Sequence, residues 1–223
     1  MIRAAILDFN GVISDDEPLL AELFDRLLRS LGLSLDRASY FSNLAGLDDL
    51  SIVRRLLAHA GLPDDERVAR EHLTRKIAWY KEAVARQLPV APDTIAFVRA
   101  LGARVPLAVA SGAAREEIEF VLQRAGLRPL FAVVVSLEDV ERGKPDPEGF
   151  LLALEKLNAG LRPPPRPALQ PGEVLVVEDS LPGVRAAKAA GFRCLGVGDR
   201  LPEADHTAPR LDRALVERLF AAP

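Results

Sequence analysis

Short apolar runs of four to six residues recur along this chain, and they constrain its fold more than any other feature of the sequence. Five such runs occupy residues 4–7, 105–110, 132–135, 174–177 and 194–197. Continuous stretches of Val, Leu and Ala of this length are typical of strands that are buried on both faces of a sheet. Helical patterns lie between them at 114–125, 147–157 and 181–190, and two of these stop at glycines that can close a helix, Gly126 and Gly191. This alternation predicts βαβ units and a parallel sheet, which is an α/β fold.

Residues 15–89 interrupt the alternation, because they contain helical patterns and no convincing strand. Leucines at helical spacing from Leu19 to Leu31 predict a first helix, which Ser14 and Glu17 would begin as a capping box. Two further amphipathic patterns cover residues 52–57 and 73–84. The simplest architecture is therefore a parallel sheet interrupted after its first strand by an all-helical insert. A separate stretch with five prolines, residues 162–171, predicts an exposed loop.

The composition excludes several classes of function. The chain has 223 residues, of which 49% are hydrophobic and 27% charged, as in ordinary globular proteins. Its net charge of −3 and the lack of a run of basic residues argue against a nucleic-acid partner. The single cysteine, Cys194, excludes an internal disulfide, and three scattered histidines exclude a Cys/His zinc site. No apolar run approaches the length of about 18 residues that a membrane span needs, so we expect no membrane partner and a cytoplasmic location. The sequence gives no oligomeric state.

Polar residues follow several of the predicted strands at the point where each strand ends. They are Asp8 and Asn10, Ser111, and the pair Glu178 and Asp179, with Lys144 between the third and fourth strands. Ligands of an open parallel sheet bind at the carboxyl ends of its strands. The intervals from Ser111 to Lys144 and from Lys144 to Asp179 each match one βα unit, whereas the interval from Asp8 to Ser111 is longer by about the size of the insert. The spacing predicts one shared site at the sheet edge, with the insert above it.

These residue types together suit the transfer of a phosphoryl group. Asp8 and Asp179 offer the carboxylate oxygens that Mg²⁺ prefers, and an aspartate beside a metal can itself attack phosphorus. Ser111 and Gly112, which open a predicted helix, offer a hydroxyl and backbone N–H groups to an anion. Lys144 adds a positive charge that can neutralise a phosphoryl oxygen. Acyl transfer would need a Ser–His or Cys–His pair instead.

Four motifs in order make the chain resemble the haloacid dehalogenase (HAD) superfamily, within it the β-phosphoglucomutase-like phosphatase branch. The motifs are Asp8-Phe9-Asn10-Gly11-Val12, Ser111-Gly112, Lys144 within GKPDP, and Glu178-Asp179-Ser180. The resemblance covers essentially the whole chain. It implies a Rossmann-like parallel sheet flanked by helices, formed by residues 1–14 and 90–223, and an all-helical cap domain formed by residues 15–89. It also implies a Mg²⁺-dependent phosphatase that acts on a small phosphorylated metabolite.

The resemblance assigns a role to each matching position. Asp8 would be the nucleophile and a metal ligand, and Asn10 would offer its backbone carbonyl to Mg²⁺. Asp179 would complete the metal site, with Glu178 contributing directly or through water. Ser111 and Lys144 would bind the phosphoryl group. The remaining candidates for substrate binding are two glycines of the motifs and one lysine of the insert, Gly11, Gly112 and Lys76.

Asn10 departs from the pattern of the family, whose phosphatases normally carry an aspartate at this position. That aspartate protonates the leaving oxygen and then activates water, but an amide cannot deliver a proton at neutral pH. Loss of a positioned acid–base group typically lowers a rate by about 10²–10⁴-fold. The sequence therefore predicts slow turnover of alkyl phosphates, and a smaller effect on aryl or acyl phosphates, whose leaving groups need no proton.

Three alternatives stay open from the sequence. Dehalogenases of the superfamily also lack the second aspartate but work without a metal, so the acid pair Glu178 and Asp179 argues against them. A phosphonate hydrolase would need a lysine of the cap, Lys76 or Lys81, to form a Schiff base. A chain weakened by Asn10 would instead bind a phosphorylated metabolite or a protein partner without turnover.

The cap sequence also bears on the substrate. Phosphomutases of this branch carry, soon after a glycine, an arginine that holds a second phosphate. The corresponding stretch here is Gly46-Leu47-Asp48-Asp49, which has no arginine. Because a carboxylate at this point would repel a second phosphate, the stretch argues against a mutase that uses a bisphosphate. At the junction of core and cap, Asp15 and Asp16 are either part of the cleft or a solvated start of the first helix.

Overall fold

A parallel sheet with helices on both faces is the centre of the computed structural model, which describes residues 1–160, 167–198 and 201–221. The strands of these residues are β1 (Ala4–Leu7), β2 (Leu107–Ala110), β3 (Phe131–Val135), β4 (Val174–Glu178), β5 (Arg193–Val197) and β6 (His206–Ala208). Their order across the sheet is β3-β2-β1-β4-β5-β6, and every neighbouring pair is parallel. The predicted α/β class with a Rossmann-like parallel core is confirmed.

Helices fill most of the intervals between these strands. They are α1 (Glu17–Arg29), α2 (Arg37–Asn43), α3 (Asp49–His59), α4 (Glu66–Arg86), α5 (Pro92–Gly102), α6 (Arg115–Arg124), α7 (Glu148–Gly160), α8 (Leu181–Ala189) and α9 (Arg213–Phe220). Short 3₁₀ turns occupy Arg128–Leu130, Leu137–Asp139 and Pro171–Glu173. Within the described ranges, no helix combines the length and the apolar character that crossing a membrane requires.

The strand β1 shows why the sheet is covered on both faces. Ala5 and Leu7 belong to one apolar core, and Ala4 and Ile6 belong to another, because successive side chains of a strand point to opposite faces. The first core continues into the helices α1 to α4, whereas the second is closed by α7 and α8. The continuous apolar runs of the sequence are thus strands buried from both sides.

The five predicted strands are present, with ends that differ from the prediction by two residues at most. The strand β6 was not predicted, because it has three residues and its first two are exposed. The helices α2, α5 and α9 were not predicted either; α2 is short and buries only Tyr40. Most of the predicted loop at 162–171 lies outside the described residues.

The predicted helix ends are confirmed in three cases and wrong in one. Gly126 and Gly191 follow α6 and α8 with φ angles of 63° and 78°, the left-handed conformation that glycine adopts without strain. Ser180 caps α8 by accepting a hydrogen bond of 3.1 Å from the N–H of Gly183. The capping box at Ser14 is wrong, because α1 begins at Glu17 and the Ser14 hydroxyl donates to Asp16.

The insert is held to the core by a buried ion-pair network centred on Lys76. The ammonium group of this α4 residue lies 2.9 Å from Asp49 Oδ2 of α3 and 2.8 Å from Glu117 Oε2 of α6. Lys76 is fully buried, and it does not line the cavity at Asp8. Burial lowers the pKa of Lys76, but the charges of Asp49 and Glu117 outweigh burial and hold it above its ordinary value. The division into a core of residues 1–14 and 90–223 and a cap of 15–89 stays a prediction.

Replacing Lys76 by methionine tests this network. We expect K76M to lower the free energy of unfolding by about 3–5 kcal/mol, because it leaves two buried carboxyl groups without their cation. The matched control is K81M on the same helix, which removes the partly exposed ion pair with Glu116 and should cost at most about 1 kcal/mol. Urea denaturation of both variants gives the comparison, and equal losses would contradict the role of Lys76.

Candidate active site

The ends of β1, β2 and β4 meet at a cavity of about 370 Å³ between the sheet and the insert. Six of the residues predicted for the site line this cavity together: Asp8, Asn10, Ser111, Gly112, Lys144 and Asp179. The opposite wall comes from α1, α2 and α3 and from the loop that precedes α3. The predicted convergence at the sheet edge is thus present in the structure.

The strand register brings two of the acids side by side. Leu7 of β1 pairs with Val177 of β4, so the next residues, Asp8 and Glu178, lie at the same level of adjacent strands. Lys144 supplies one positive charge to both, because its ammonium lies 2.8 Å from Asp8 Oδ1 and forms an ion pair with Glu178 Oε1. Burial lowers the pKa of Lys144, but these two carboxylates outweigh it and raise the pKa above its ordinary value.

Glu178 is fully buried, and both of its oxygens have partners. Oε1 takes the ion pair with Lys144, while Oε2 accepts hydrogen bonds from the Asp179 N–H, the Ser180 N–H and the Ser180 hydroxyl at 2.9 to 3.0 Å. The pKa of Glu178 is raised above its ordinary value, because burial and the charge of Asp8 outweigh the lowering effect of Lys144 and of the Ser180 N–H. This carboxylate therefore anchors the lysine and the loop after β4.

Asp8, Glu178 and Asp179 form a cluster in which one carboxylate oxygen of each lies within 4.8 Å of the others. The pKa of Asp179 is raised to about 9, first by burial and then by the charges of Glu178 and Asp8. Oδ1 of Asp8 is buried, and apart from the Lys144 ammonium no donor of the described residues contacts it. Three carboxyl groups thus share the single ammonium of Lys144, and such a cluster suits a hard divalent cation.

Gly11 allows Asp179 to approach the first motif. Its φ angle is 73°, and a Cβ at this position would overlap the Asp179 carboxylate. Gly11 thus lies against a candidate metal ligand rather than among the residues that line the cavity. Gly183 of α8 does the same for Glu178, whose carboxylate occupies the space that a Cβ would fill.

Ser111 and Gly112 lie under the insert. The N–H of Asp49 donates to the Gly112 carbonyl at 3.0 Å, and a Cβ on Gly112 would come within 2.8 Å of the Asp48 Cα. Within the described residues, the N–H of Gly112 itself makes no hydrogen bond. The Ser111 hydroxyl and this free N–H both belong to the cavity wall and can receive an anion.

The side chain of Asn10 is oriented by a buried acid. Its Nδ2 donates to both oxygens of Asp16 at 3.0 and 3.1 Å. Asp16 also accepts hydrogen bonds from the Ser14 hydroxyl at 2.6 Å and from the Tyr80 hydroxyl. Burial raises the pKa of Asp16 to about 6, against the lowering effect of these donors. Of the two acids at the junction, Asp16 is therefore buried behind Asn10, while Asp15 is exposed.

Glu17 and Tyr40 line the cavity but were not among the predicted site residues. The Tyr40 hydroxyl donates to Glu17 Oε2 at 3.0 Å. Burial raises the pKa of Glu17 to about 7, and the charges of Asp16, Asp8 and Asp49 act in the same direction. A signal was present in the sequence, because Glu17 shares one helical face with the buried residues of α1, Leu20, Phe24 and Leu27.

A second cavity of about 410 Å³ adjoins the first and shares Ser111, Gly112, Lys144 and Asp48 with it. Its outer wall carries three arginines, and each is paired with an acid. The pairs are Arg54 with Asp64, Arg70 with Glu66, and Arg142 with Asp146 and Glu148. The arginines thus contribute little uncompensated charge to the site.

Comparison with known proteins is consistent with this geometry. A family model described as haloacid dehalogenase-like hydrolase matches residues 2–191. The phosphorylated carbohydrates phosphatase of Thermotoga maritima is 31% identical over 201 residues, which are 88% of this chain and 85% of that protein. Validoxylamine A 7′-phosphate phosphatase of Streptomyces hygroscopicus subsp. limoneus is 29% identical over 214 residues, 92% of each chain.

A solved structure extends the likeness to the fold. An Asp-to-Asn mutant of CbbY from Rhodobacter sphaeroides, in complex with xylulose-1,5-bisphosphate, superposes with a TM-score of 0.75 at 27% identity, covering 94% of this chain and 95% of that one. The chain belongs to the haloacid dehalogenase-like hydrolase family. Its relatives include proteins named as phosphatases of phosphorylated small molecules, so the predicted superfamily, phosphatase branch and enzyme class are confirmed.

Gly11 and Gly61 allow a matched test of the approach of Asp179, because both have a φ angle of 73°. An added Cβ at Gly61 meets nothing within 4 Å, so G61A should show only the strain of the left-handed conformation, about 1–2 kcal/mol. We expect G11A to lose more than G61A in urea denaturation, since its Cβ must also displace Asp179. Equal losses would show that Asp179 can move without cost.

Proposed function

We propose that this protein is a Mg²⁺-dependent phosphatase that hydrolyses a small phosphorylated metabolite through a phosphate ester on Asp8. The observation that carries the proposal is the meeting of Asp8, Asp179, Lys144 and Ser111 at one cavity wall. This wall combines a nucleophile, a cation site and an anion site, which together are what phosphoryl transfer needs.

The residues fit a bound Mg²⁺. Asp8 and Asp179 would hold it with their carboxylate oxygens, together with the backbone carbonyl of Asn10. Glu178 would act indirectly, because its oxygens already bind Lys144, Asp179 and Ser180. When bound, the cation would neutralise charge on the phosphoryl group and between the acids.

Different residues of the cavity would carry out the attack on phosphorus and the binding of the phosphoryl group. The Asp8 carboxylate attacks phosphorus, while Lys144 and the Ser111 hydroxyl bind the phosphoryl oxygens. In an in-line displacement the leaving oxygen faces away from the nucleophile, and here that direction is toward the insert. Water then releases phosphate from Asp8 and restores the carboxylate.

The walls of the cavity favour a substrate with one phosphate and an uncharged or cationic remainder. The insert side carries Asp48, whose carboxylate repels a second phosphate, and no arginine is among the described residues that line the cavity. The names of two relatives, which act on phosphorylated carbohydrates and on validoxylamine A 7′-phosphate, support a hydroxyl-rich substrate. We therefore propose a sugar-like monophosphate.

Asn10 would slow this reaction on alkyl phosphates. Its Nδ2 is directed at Asp16, and an amide has no proton to transfer at neutral pH. The structure does not favour a phosphonate hydrolase, because Lys76 is buried as an ammonium ion in its ion pairs and Lys81 pairs with Glu116 outside the cavity. A Schiff base needs an accessible neutral amine.

The role of Asn10 is tested with N10D on an alkyl and an aryl phosphate. We expect N10D to raise kcat/KM on the alkyl ester, by at most about 10²–10⁴-fold, and to change kcat/KM on the aryl ester much less. Phosphate release with Mg²⁺ is the measurement, and D8N is the control that removes the nucleophile. Equal turnover of alkyl and aryl esters by the unaltered chain would contradict the account of Asn10, and turnover by D8N would contradict the nucleophile.

The cation site has a readout that does not depend on activity. Mg²⁺ should raise the melting temperature, and at 100 times its Kd it would stabilise the fold by about 2.7 kcal/mol. We expect D179N to lose most of this Mg²⁺-dependent shift, whereas D15N, which changes an exposed acid, should keep it. Thermal unfolding at increasing Mg²⁺ measures both, and an unchanged shift in D179N would count against this ligand.

A further inference from the structure

We propose that Glu17 donates and accepts the proton that Asn10 cannot carry, less efficiently than an aspartate at position 10 would. This inference rests on the proposed function and adds a catalytic residue to it. It follows from the position of Glu17 in the cavity, from its hydrogen bonding, and from the hydrogen bonds and ion pairs that the other acids nearby already make.

The position of Glu17 matches that of a proton donor to the leaving group. Glu17 is the first residue of α1, and its side chain lines the same cavity as Asp8 and Asn10. It belongs to the insert side of the cavity, which is the side toward which a leaving oxygen points when Asp8 attacks in line. A general acid must reach that oxygen.

The hydrogen bonding of Glu17 leaves one oxygen available. The Tyr40 hydroxyl donates to Oε2 at 3.0 Å, which fixes the orientation of the carboxyl group. In the part of the chain that the structure describes, Oε1 has no hydrogen-bond partner. The carboxyl group is thus held through one oxygen, and the other is without a partner in a side chain that lines the cavity.

The other acids near Asn10 are already engaged. Asp16 binds Ser14, Tyr80 and Asn10 behind the cavity wall. Asp49 pairs with Lys76. Asp48 caps α3, where its Oδ1 accepts from the Ser51 N–H at 2.8 Å, and its Oδ2 lies beside Gly143.

The surroundings of Glu17 allow both protonation states near neutral pH. Burial is the largest cause of its raised pKa of about 7, and the Tyr40 hydrogen bond opposes it. Charged and titratable groups surround it from every neighbouring segment. They are Asp16 before α1, Asp8 after β1, Tyr40 of α2, Asp49 of α3, Asp179 after β4 and Lys144 before α7. A group that titrates near the working pH is suited to give and take a proton in turn.

Two steps use this carboxyl group. As Asp8 bonds to phosphorus, the ester P–O bond breaks, its electron pair goes to the leaving oxygen, and the proton of Glu17 joins that oxygen to release an alcohol. Glu17 then takes a proton from water while the water oxygen bonds to phosphorus. The P–O bond to Asp8 breaks, phosphate leaves, and both carboxyl groups return to their starting states.

The test is E17Q, with E22Q as the matched control, because Glu22 is an exposed residue of the same helix. With Mg²⁺, E17Q should lower kcat/KM on an alkyl phosphate by about 10²-fold or more and leave the aryl phosphate nearly unchanged. E22Q should change neither. In the N10D background, E17Q should lower alkyl turnover much less, because the new aspartate then carries the proton.

A pH profile separates proton transfer from a structural role. For the unaltered chain, kcat/KM on the alkyl ester should fall at high pH as Glu17 loses its proton, and this limb should be absent in E17Q. Equal losses on alkyl and aryl esters, or an unchanged alkyl rate, would overturn the role of Glu17. Lack of aryl turnover by the unaltered chain would instead overturn the proposed phosphatase, so the two failures are distinct.

Discussion

The electrostatic repulsion among the carboxyl groups of Asp8, Glu178 and Asp179 is the constraint for which the surrounding structure must compensate. Parallel pairing of β1 and β4 places the first two at the same level, and buried carboxylates at such distances need compensating charge. Lys144 supplies one positive charge between Asp8 and Glu178. Gly11 leaves room for Asp179. The remaining negative charge is the physical basis for expecting a cation at this edge of the sheet.

Buried acids also join the insert to the core. Asp49 and Glu117 approach from two elements and meet the same ammonium, that of Lys76 on α4. Asp16 connects Asn10 of the first motif to Tyr80 on α4. Each of these carboxyl groups binds a donor that lies on another segment of the chain. The contacts therefore fix the position of the insert over the strand ends.

Asparagine at position 10 places an amide, which has no proton to transfer at neutral pH, in the cavity wall. The amide nitrogen points to Asp16, so that part of the first motif is a fixed wall. The carboxyl group on the other side, Glu17, is held by Tyr40 and raised in pKa by burial. An amide at one position and a carboxyl group of raised pKa at another thus line a single cavity.

Local sequence patterns were enough to predict five strands, most of the helices around them and the polar residues at the strand ends. Strands buried on both faces appear as continuous apolar runs, and amphipathic helices appear as apolar residues at helical spacing. The same reasoning missed β6, which is short and half exposed, and placed Ser14 and Glu17 in a cap that the chain does not form. Lys76 shows the limit most clearly, since resemblance to a cap helix of relatives suggested a substrate contact, whereas its partners come from α3 and α6.

By itself, the sequence determined the α/β class, the family and six of the residues that line the cavity, because the order of the motifs and the spacing of the strands can be read directly from the linear sequence. Only the tertiary structure decided that Glu178 holds Lys144, that Asp16 orients Asn10 and that Glu17 faces the cavity. These features depend on contacts between side chains of distant segments and on the degree of burial of each charged group. Neither can be read from the order of residues.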